Sequence, residues 1–370
     1  MTKREQFVSY VKQGGQPICS PQIGAGAGFD ARLAGKEWLT EVTFEDTLGA
    51  CERFDMVPMI NMGPLPYEEM APVLAWQETG RRETPRRKEW ETQLVTPVGT
   101  LTRNYIEEPV NGVMMTKYAV EDGDDLKVLD WYLDVVLDSD FSAQTEHIQK
   151  VVRWLDGRAA LDVQWGMQPY EILSFPNTVD TVFLANDYPE LFTRLMDKVI
   201  RLDEKMLDAL QKADCDFVFL GGPGAEMLSP KYYENYIIPG SKTVTQMAHA
   251  RGFQVYSHIC SPVEPFLTMG FYNRMGIDLF ETLSPPPVGN VQSMGDAITK
   301  LDPHICTRGN VGLDALLNKT PAEIRELSLA ILEQTRGRKH ILAASDYLFY
   351  NIPEENVAAM CAAVREFNGA

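Results

Sequence analysis

The stretch FQVYSHIC, residues 253–260, follows Gly252 and runs into Ser261 and Pro262. A short apolar run bounded by turn residues reads as a buried strand, with 257–262 as its exit. His258 and Cys260 lie two residues apart, so on an extended chain their side chains leave the same face. An imidazole and a thiolate converging at a strand end are zinc ligands by type and spacing. The bland alternative stands beside this one, because cysteine is commonly just buried and a lone histidine is commonly a hydrogen-bonded core residue. The chain supplies its own caution: His304, Ile305 and Cys306 repeat the same letters in a less suggestive place.

Around this stretch, short apolar runs alternate with helical patterns. Strands are expected at 57–62, 159–165 and 217–220, then in IDLFETL, HICTRGNV and HILAASDY. Helices are expected at 38–54, 124–137, 141–156, 189–212, 230–251, 263–275, 294–301, 320–334 and 353–367. Pro189, the cap Ser229 and the capping box of Thr320 with Glu323 mark three of their starts. Strand and helix units at this spacing imply a parallel sheet with helical crossovers. The glycine-rich PQIGAGAGFDARL lacks the full spacing of a dinucleotide fingerprint, so it reads as a loop, and no nucleotide switch point favours an open sheet. The fold class expected is therefore α/β, a single (β/α)8 TIM barrel over 1–370 with an N-terminal helical extension. Residues 77–118 break the pattern: they alternate polar and apolar around Gly99 and Asn111-Gly112, as a β-hairpin insertion does. The cluster Arg81, Arg82, Arg86, Arg87 and Lys88 falls there, a solvated surface in the ordinary case and otherwise a contact for an anion.

The chain has 370 residues, with 34 Lys and Arg against 52 Asp and Glu, giving a net charge of −18. That balance argues against binding a phosphate backbone. The first residues form a polar amphipathic helix without a signal peptide's apolar core, and no later run is long enough to cross a bilayer, so a cytoplasmic protein is expected. The six cysteines, at 19, 51, 215, 260, 306 and 361, have no paired spacing and read as reduced thiols.

In a barrel, chemistry gathers where strands end. Glu281 lies near the end of the strand after FQVYSHIC, before three prolines, and Asp346 ends the last one. Together with His258 and Cys260 they make a four-residue zinc set, in which Glu281 and Asp346 are also the candidate catalytic carboxylates. The ordinary alternatives are a surface carboxylate for Glu281 and a turn cap for Asp346. Gln164, Tyr170, Glu226 and Asn310 occupy other strand ends and are candidates for binding a small substrate, with loop hydrogen bonding as the alternative.

The segments NDYPELFTRLMDKVI, ADCDFVFLGGPGAEMLSPKYYENYIIPGSKTV, VYSHICSP, GIDLFETL, TRGNV, TPAEIRE and IPEENVAAM resemble the uroporphyrinogen decarboxylase superfamily. Within it, His258-X-Cys260 with Glu281 is similar to the zinc-dependent, corrinoid-linked methyltransferases. The resemblance implies a single barrel, a zinc ion, a small methylated substrate and a partner corrinoid protein that carries cobalamin; a homodimer stays open. Decarboxylases of the family carry an RQAGR-type loop and a histidine in the C-terminal turn, where this chain has PQIGAGAGFD and AASDYLF. A metal-free carboxy-lyase, with the pocket acids as general acid and base, is the alternative. At the position where the methyltransferases carry a second cysteine the chain has Asp346. A carboxylate there makes zinc a harder Lewis acid, suited to polarising an oxygen rather than activating a thiol, which points to a methoxy substrate.

Overall fold

The structure is a computed structural model, and it describes residues 1–164, 175–222 and 224–369. The chain opens with helix α1 (Lys3–Gln13), which starts where Thr2 and Glu5 close a reciprocal capping box. Helices α2 (Phe29–Leu33) and α3 (Phe44–Arg53) precede strand β1 (Met59–Met62). Next come β2 (Gln77–Thr84), β3 (Arg87–Thr96), β4 (Gly99–Glu108) and β5 (Gly112–Lys117), then α4 (Gly123–Asp138), α5 (Ser142–Leu155) and β6 (Ala160–Val163). The alternation continues with α6 (Thr178–Asp187), α7 (Pro189–Lys212), β7 (Phe217–Phe219), α8 (Pro230–Tyr232), α9 (Ile238–Ala250) and β8 (Gln254–Ile259). It ends with α10 (Phe271–Met275), β9 (Leu279–Thr282), α11 (Met294–Thr299), β10 (Cys306–Val311), α12 (Leu313–Asn318), α13 (Pro321–Gln334), β11 (His340–Ala344) and α14 (Glu354–Phe367).

The strands β1, β6, β7, β8, β9, β10 and β11 pair in that order, all parallel, as one seven-stranded sheet flanked by helices. Strands β6, β9, β10 and β11 are buried throughout, as parallel strands covered on both faces are. The architecture is that of a TIM-like barrel, but the expected eighth strand is not formed among the described residues. In its place residues 18–20 span the gap with three backbone bonds. Ile18 O accepts from Leu342 N at 3.0 Å, Ser20 N donates to Leu342 O at 2.9 Å, and Cys19 O accepts from Val57 N at 3.0 Å. Pro17 and Pro21 bracket the segment, and with no N–H to donate they stop the ladder on both sides.

Helix α1 seals the end of the barrel where the strands begin. Phe7, Tyr10 and Val11 pack on Met59, Ala160, Phe217, Leu279, Cys306 and Ile341, one residue from each of six strands. Phe7 meets Phe217 edge-on at 5.5 Å. With that end closed, polar groups further along the strands face the opposite mouth.

Strands β2 to β5 form a separate antiparallel sheet in order. Its buried Leu94 and Leu101 face each other across β3 and β4, and β4 lies against α4, where Gly99 stands too close to Val128 for any Cβ. The basic cluster is largely neutralised here: Arg81 pairs with Glu78 and Glu83, Arg87 with Glu89 and Glu108, and Lys88 with Glu107.

Three helices depart from expectation. The expected helix 38–54 begins only at Phe44, where Thr43 and Asp46 close a capping box. The span 263–275 is helical only at α10, because Asn290 Oδ1 takes the amides of Val263 and Glu264 and Gly270 turns left-handed at φ 68°. Between α8 and α9 lies a π-helical turn, Tyr233–Ile237, just before Pro239, whose missing N–H frees a carbonyl one turn earlier.

Candidate metal centre

The registers of three strands set one row of side chains. His258 on β8 is the lateral partner of Glu281 on β9, and Glu281 is the partner of Arg308 on β10. Glu281 Oε1 lies 3.1 Å from His258 Nδ1, and Arg308 donates to Glu281 Oε2 at 3.0 Å. Gln22 Nε2 reaches the same oxygen at 3.4 Å. Arg308 is anchored on its other side, its Nε donating to Ser20 O at 2.7 Å and its NH2 group to Ser20 Oγ at 3.3 Å. Only 1% of either side chain of the Arg308–Glu281 pair is exposed.

With Nδ1 held by Glu281, the other nitrogen of His258 points to the turn after β11. His258 Nε2 stands 3.3 Å from Asp346 Oδ1. One ligand atom each from His258, Cys260 and Asp346 lies within 4.8 Å of the others, which makes these three a group able to hold a metal ion. Nitrogen, sulfur and a carboxylate oxygen are the donors zinc takes, and an imidazole whose second nitrogen is fixed by a carboxylate is the usual form of a zinc histidine. The Tyr347 ring lies 5.5 Å from the His258 ring, and Tyr347 OH accepts from Gln164 Nε2 at 3.1 Å.

Burial raises the pKa of Glu281, but the charges of Arg308 and His258 outweigh it and hold the carboxyl below the usual glutamate value. Burial lowers that of His258, yet Asp346, Cys260 and Glu281 around it outweigh burial, and in the metal-free protein its pKa lies well above the usual value.

The expected four-residue set therefore divides. His258, Cys260 and Asp346 come together, while Glu281 stands outside that group of three and engages Nδ1 and the arginine. Gln164 faces Tyr347. Asn310 donates to the Leu283 carbonyl at 2.9 Å, and Glu226 is exposed in the turn after β7. Tyr170 lies outside the described residues. The second His-Ile-Cys is no counterpart of the first, because His304 is exposed and Cys306 is buried against α1. The expectations omitted Arg308 and a cluster on the concave face of the sheet, Asn61, Asp162 and Tyr256. One signal was available for both: a charged residue inside an otherwise apolar parallel strand, in CTRGNV and in ALDV.

A curled parallel α/β sheet with a histidine, cysteine and carboxylate gathered at the strand ends defines the class. Residues 173–367, just over half of the chain, match the family described as uroporphyrinogen decarboxylase (URO-D), and the protein belongs to that family. It is 26% identical over 183 residues to the uroporphyrinogen decarboxylase of Gluconobacter oxydans, covering 48% of this chain and 49% of that protein. It is 28% identical over 176 residues to that of Parasynechococcus marenigrum, covering 46% of each. The chain thus spans about half the length of the curated relatives it matches. Among solved structures, a methyltransferase from Methanosarcina mazei shares the fold with a TM-score of 0.67 at 14% identity, over 100% of this chain and 99% of that one. Among the described residues no helix is long and apolar enough to cross a membrane.

Proposed function

We propose that this protein moves a methyl group between a small methylated substrate of the methoxy type and the cobalamin of a partner corrinoid protein, with zinc held by His258, Cys260 and Asp346. The observation that carries the reading is the convergence of those three ligand atoms within 4.8 Å, with Glu281 on the far nitrogen of the histidine at 3.1 Å. Zinc bound there, by one thiolate, one imidazole and one carboxylate, would act as a Lewis acid suited to polarising an oxygen. Glu281 keeps the imidazole turned with Nε2 outward, and Arg308 keeps Glu281 ionised and in place. Tyr347 and Gln164 border the substrate's side of the site. The name of the Methanosarcina mazei structure agrees with this reading and adds the fold to its support.

The name shared by the curated relatives favours a second reading, a carboxy-lyase acting without metal. Against it stands the commitment of Arg308 to Glu281 and Ser20, which leaves that cation unavailable to a polycarboxylate.

Elemental analysis of the purified protein separates the two. About one zinc per chain, lost in the double variant His258→Ala with Cys260→Ser, is expected for the set above. A protein without zinc after zinc-replete expression refutes the zinc assignment and moves the lyase reading ahead. Asp346→Cys, which restores a second thiolate, is expected to shift preference from methyl ethers toward thiols; unchanged preference refutes the assignment of a methoxy substrate.

A further inference from the structure

Beneath the row that holds His258 lies a second polar cluster that the zinc assignment does not use. Asp162 on β6 and Tyr256 on β8 each sit two residues before a residue of the site, Gln164 and His258, so they point the same way one layer deeper in the barrel. Tyr256 OH donates to Asp162 Oδ2 at 2.5 Å, and Asn61 Nδ2 on β1 donates to the same oxygen at 2.7 Å and to Tyr256 OH at 3.0 Å. Both donors therefore crowd onto Oδ2. The other oxygen, Oδ1, has no hydrogen-bond partner among the described residues, although Asp162 is 0% exposed. A bare anionic oxygen in such a place is costly, whereas a hydroxyl there is a donor waiting for an acceptor.

The cluster is not sealed. Asn61 is half-buried and lines a cavity of about 320 Å³ together with Gly24, Gly26, Asp30 and Thr47. The glycine-rich loop over that cavity is tied to the chain just past Asp346: Leu348 N donates to Gln22 O at 2.9 Å and Tyr350 N to Ala27 O at 3.1 Å. The cavity's volume suits a small organic molecule, and Asp162 itself lies close enough to Glu281 and Arg308, two members of the row that holds His258, to feel both charges.

We propose that Asp162, fixed by Tyr256 and Asn61, is a neutral carboxylic acid whose Oδ1 hydroxyl hydrogen-bonds the ether oxygen of a small uncharged methyl ether and gives that oxygen its proton as the methyl group leaves. This deepens, and rests on, the methyl-transfer reading. In the step, the methyl carbon's bond to oxygen breaks and its electron pair stays on oxygen. The acceptor nucleophile, a reduced corrinoid cobalt, supplies the pair for the new bond to methyl. The proton passes from Asp162 to oxygen, an alcohol departs, and Asp162 is left as a carboxylate to be reprotonated from water. Without an acid the leaving group is an alkoxide, so a positioned proton donor is what a harder metal site alone does not provide.

The electrostatics agree with the geometry. Burial raises Asp162 to about 7, even though Tyr256 and Asn61 stabilise its anion; Glu281 adds to the rise and Arg308 opposes it. Of the other groups that act on it, Tyr256 and Tyr347 are pushed well up by burial, as is Cys215, and all three stay neutral near neutrality. Glu281 stays ionised. Asp162 is therefore the member of this set that changes charge near neutral pH.

The test is infrared difference spectroscopy of the metal-free protein titrated through neutrality, with 1,2-dimethoxyethane as the ether probe. The expected result is a protonated-carboxyl band that disappears as pH rises, is missing in Asp162→Asn, and shifts when the ether binds. A wild-type spectrum with no such band, or a band indifferent to the ether, overturns the proposal, and neither outcome depends on zinc or on a folded variant. In turnover with a corrinoid acceptor, Asp162→Asn is expected to lose about 10²–10⁴-fold and to lose the fall in rate through pH 7. An aryl methyl ether with an electron-withdrawing ring, whose leaving group needs no proton, is expected to lose far less. An equal loss for both ethers assigns Asp162 a structural role and overturns the proposal. Absence of zinc with the band intact would instead defeat the metal assignment alone.

Discussion

Replacing Arg308 by methionine tests how the barrel's closure and its site are joined. Methionine fills much of the volume of arginine but carries no charge, so Glu281, 1% exposed, keeps among the described residues only His258 and Gln22 as partners. Removing one partner of a buried ion pair costs about 3–5 kcal/mol. Within that loss, the Ser20 carbonyl and hydroxyl, which accept from Arg308 at 2.7 and 3.3 Å, are orphaned, and buried groups left so cost about 1–3 kcal/mol. The double variant Arg308→Met with Glu281→Gln removes the stranded charge and leaves only the Ser20 part, so it is expected to recover about 2 kcal/mol of the single variant's deficit. The pH dependence has a definite sign. In the wild type Glu281 has a lowered pKa, so its contribution is present above the ordinary glutamate value and lost as pH falls through its lower folded value. Without Arg308 burial dominates and the folded pKa rises above the ordinary value, so the deficit is greatest at neutral pH and shrinks as acid protonates Glu281. Urea denaturation of the metal-free proteins at neutral and mildly acidic pH measures all of this. A single-variant loss below about 1 kcal/mol, or a deficit that does not shrink in acid, refutes the reasoning.

Glu281→Gln alone should weaken zinc binding about 10–100-fold while leaving one site per chain; competition against a chromogenic chelator reads the constant, and unchanged affinity would mean that Glu281 does not orient His258. Gly309→Ala should cost at least about 3 kcal/mol or abolish soluble expression, because φ is +147° and a Cβ would stand 2.2 Å from the Thr282 carbonyl oxygen of the neighbouring strand; a stable, soluble variant sinks that account. His249 is raised chiefly by its hydrogen bond to Asp278, with burial opposing. It is 41% exposed, so His249→Gln should cost less than about 1 kcal/mol. That cost should be present below the unfolded histidine value and vanish as pH rises through the folded one; a loss that persists in alkali contradicts the ion pair.

What the sequence disclosed, and what it withheld, follows from how local each signal is. Helix α7 begins at Pro189 and ends at Lys212 as its own residues indicate, since proline at the first turn and the amphipathic period are local facts. The capping box at Thr320 and the cap at Ser229 form as read for the same reason. Residues 18–20 are different. Three residues between Pro17 and Pro21 carry no pattern of their own, and only the bonds to Leu342 and Val57, both distant in sequence, reveal that this short piece spans the sheet's gap. The convergence of His258 and Cys260 rests on a spacing of two at the end of one strand and was legible, whereas the place of Asp346 beside them depends on the return of β11.

Glu281 shows most clearly where the limit lies. Its residue type suits a zinc ligand and a ligand's supporting carboxylate equally well, and nothing within IDLFETL separates the two. The decision is made by register: pairing Glu281 with His258 on one side and Arg308 on the other sets its oxygens between an imidazole and a guanidinium. Arg308 in turn reaches Ser20, at the gap between β11 and β1. One row of side chains thus ties the weakest seam of the sheet to the orientation of the candidate metal-binding histidine. Loosening the seam should therefore loosen the metal, so Ser20→Pro, which removes the N–H that Ser20 donates to Leu342 O, is expected to lower zinc affinity although Ser20 is none of the three candidate ligands; unchanged affinity would uncouple the seam from the site.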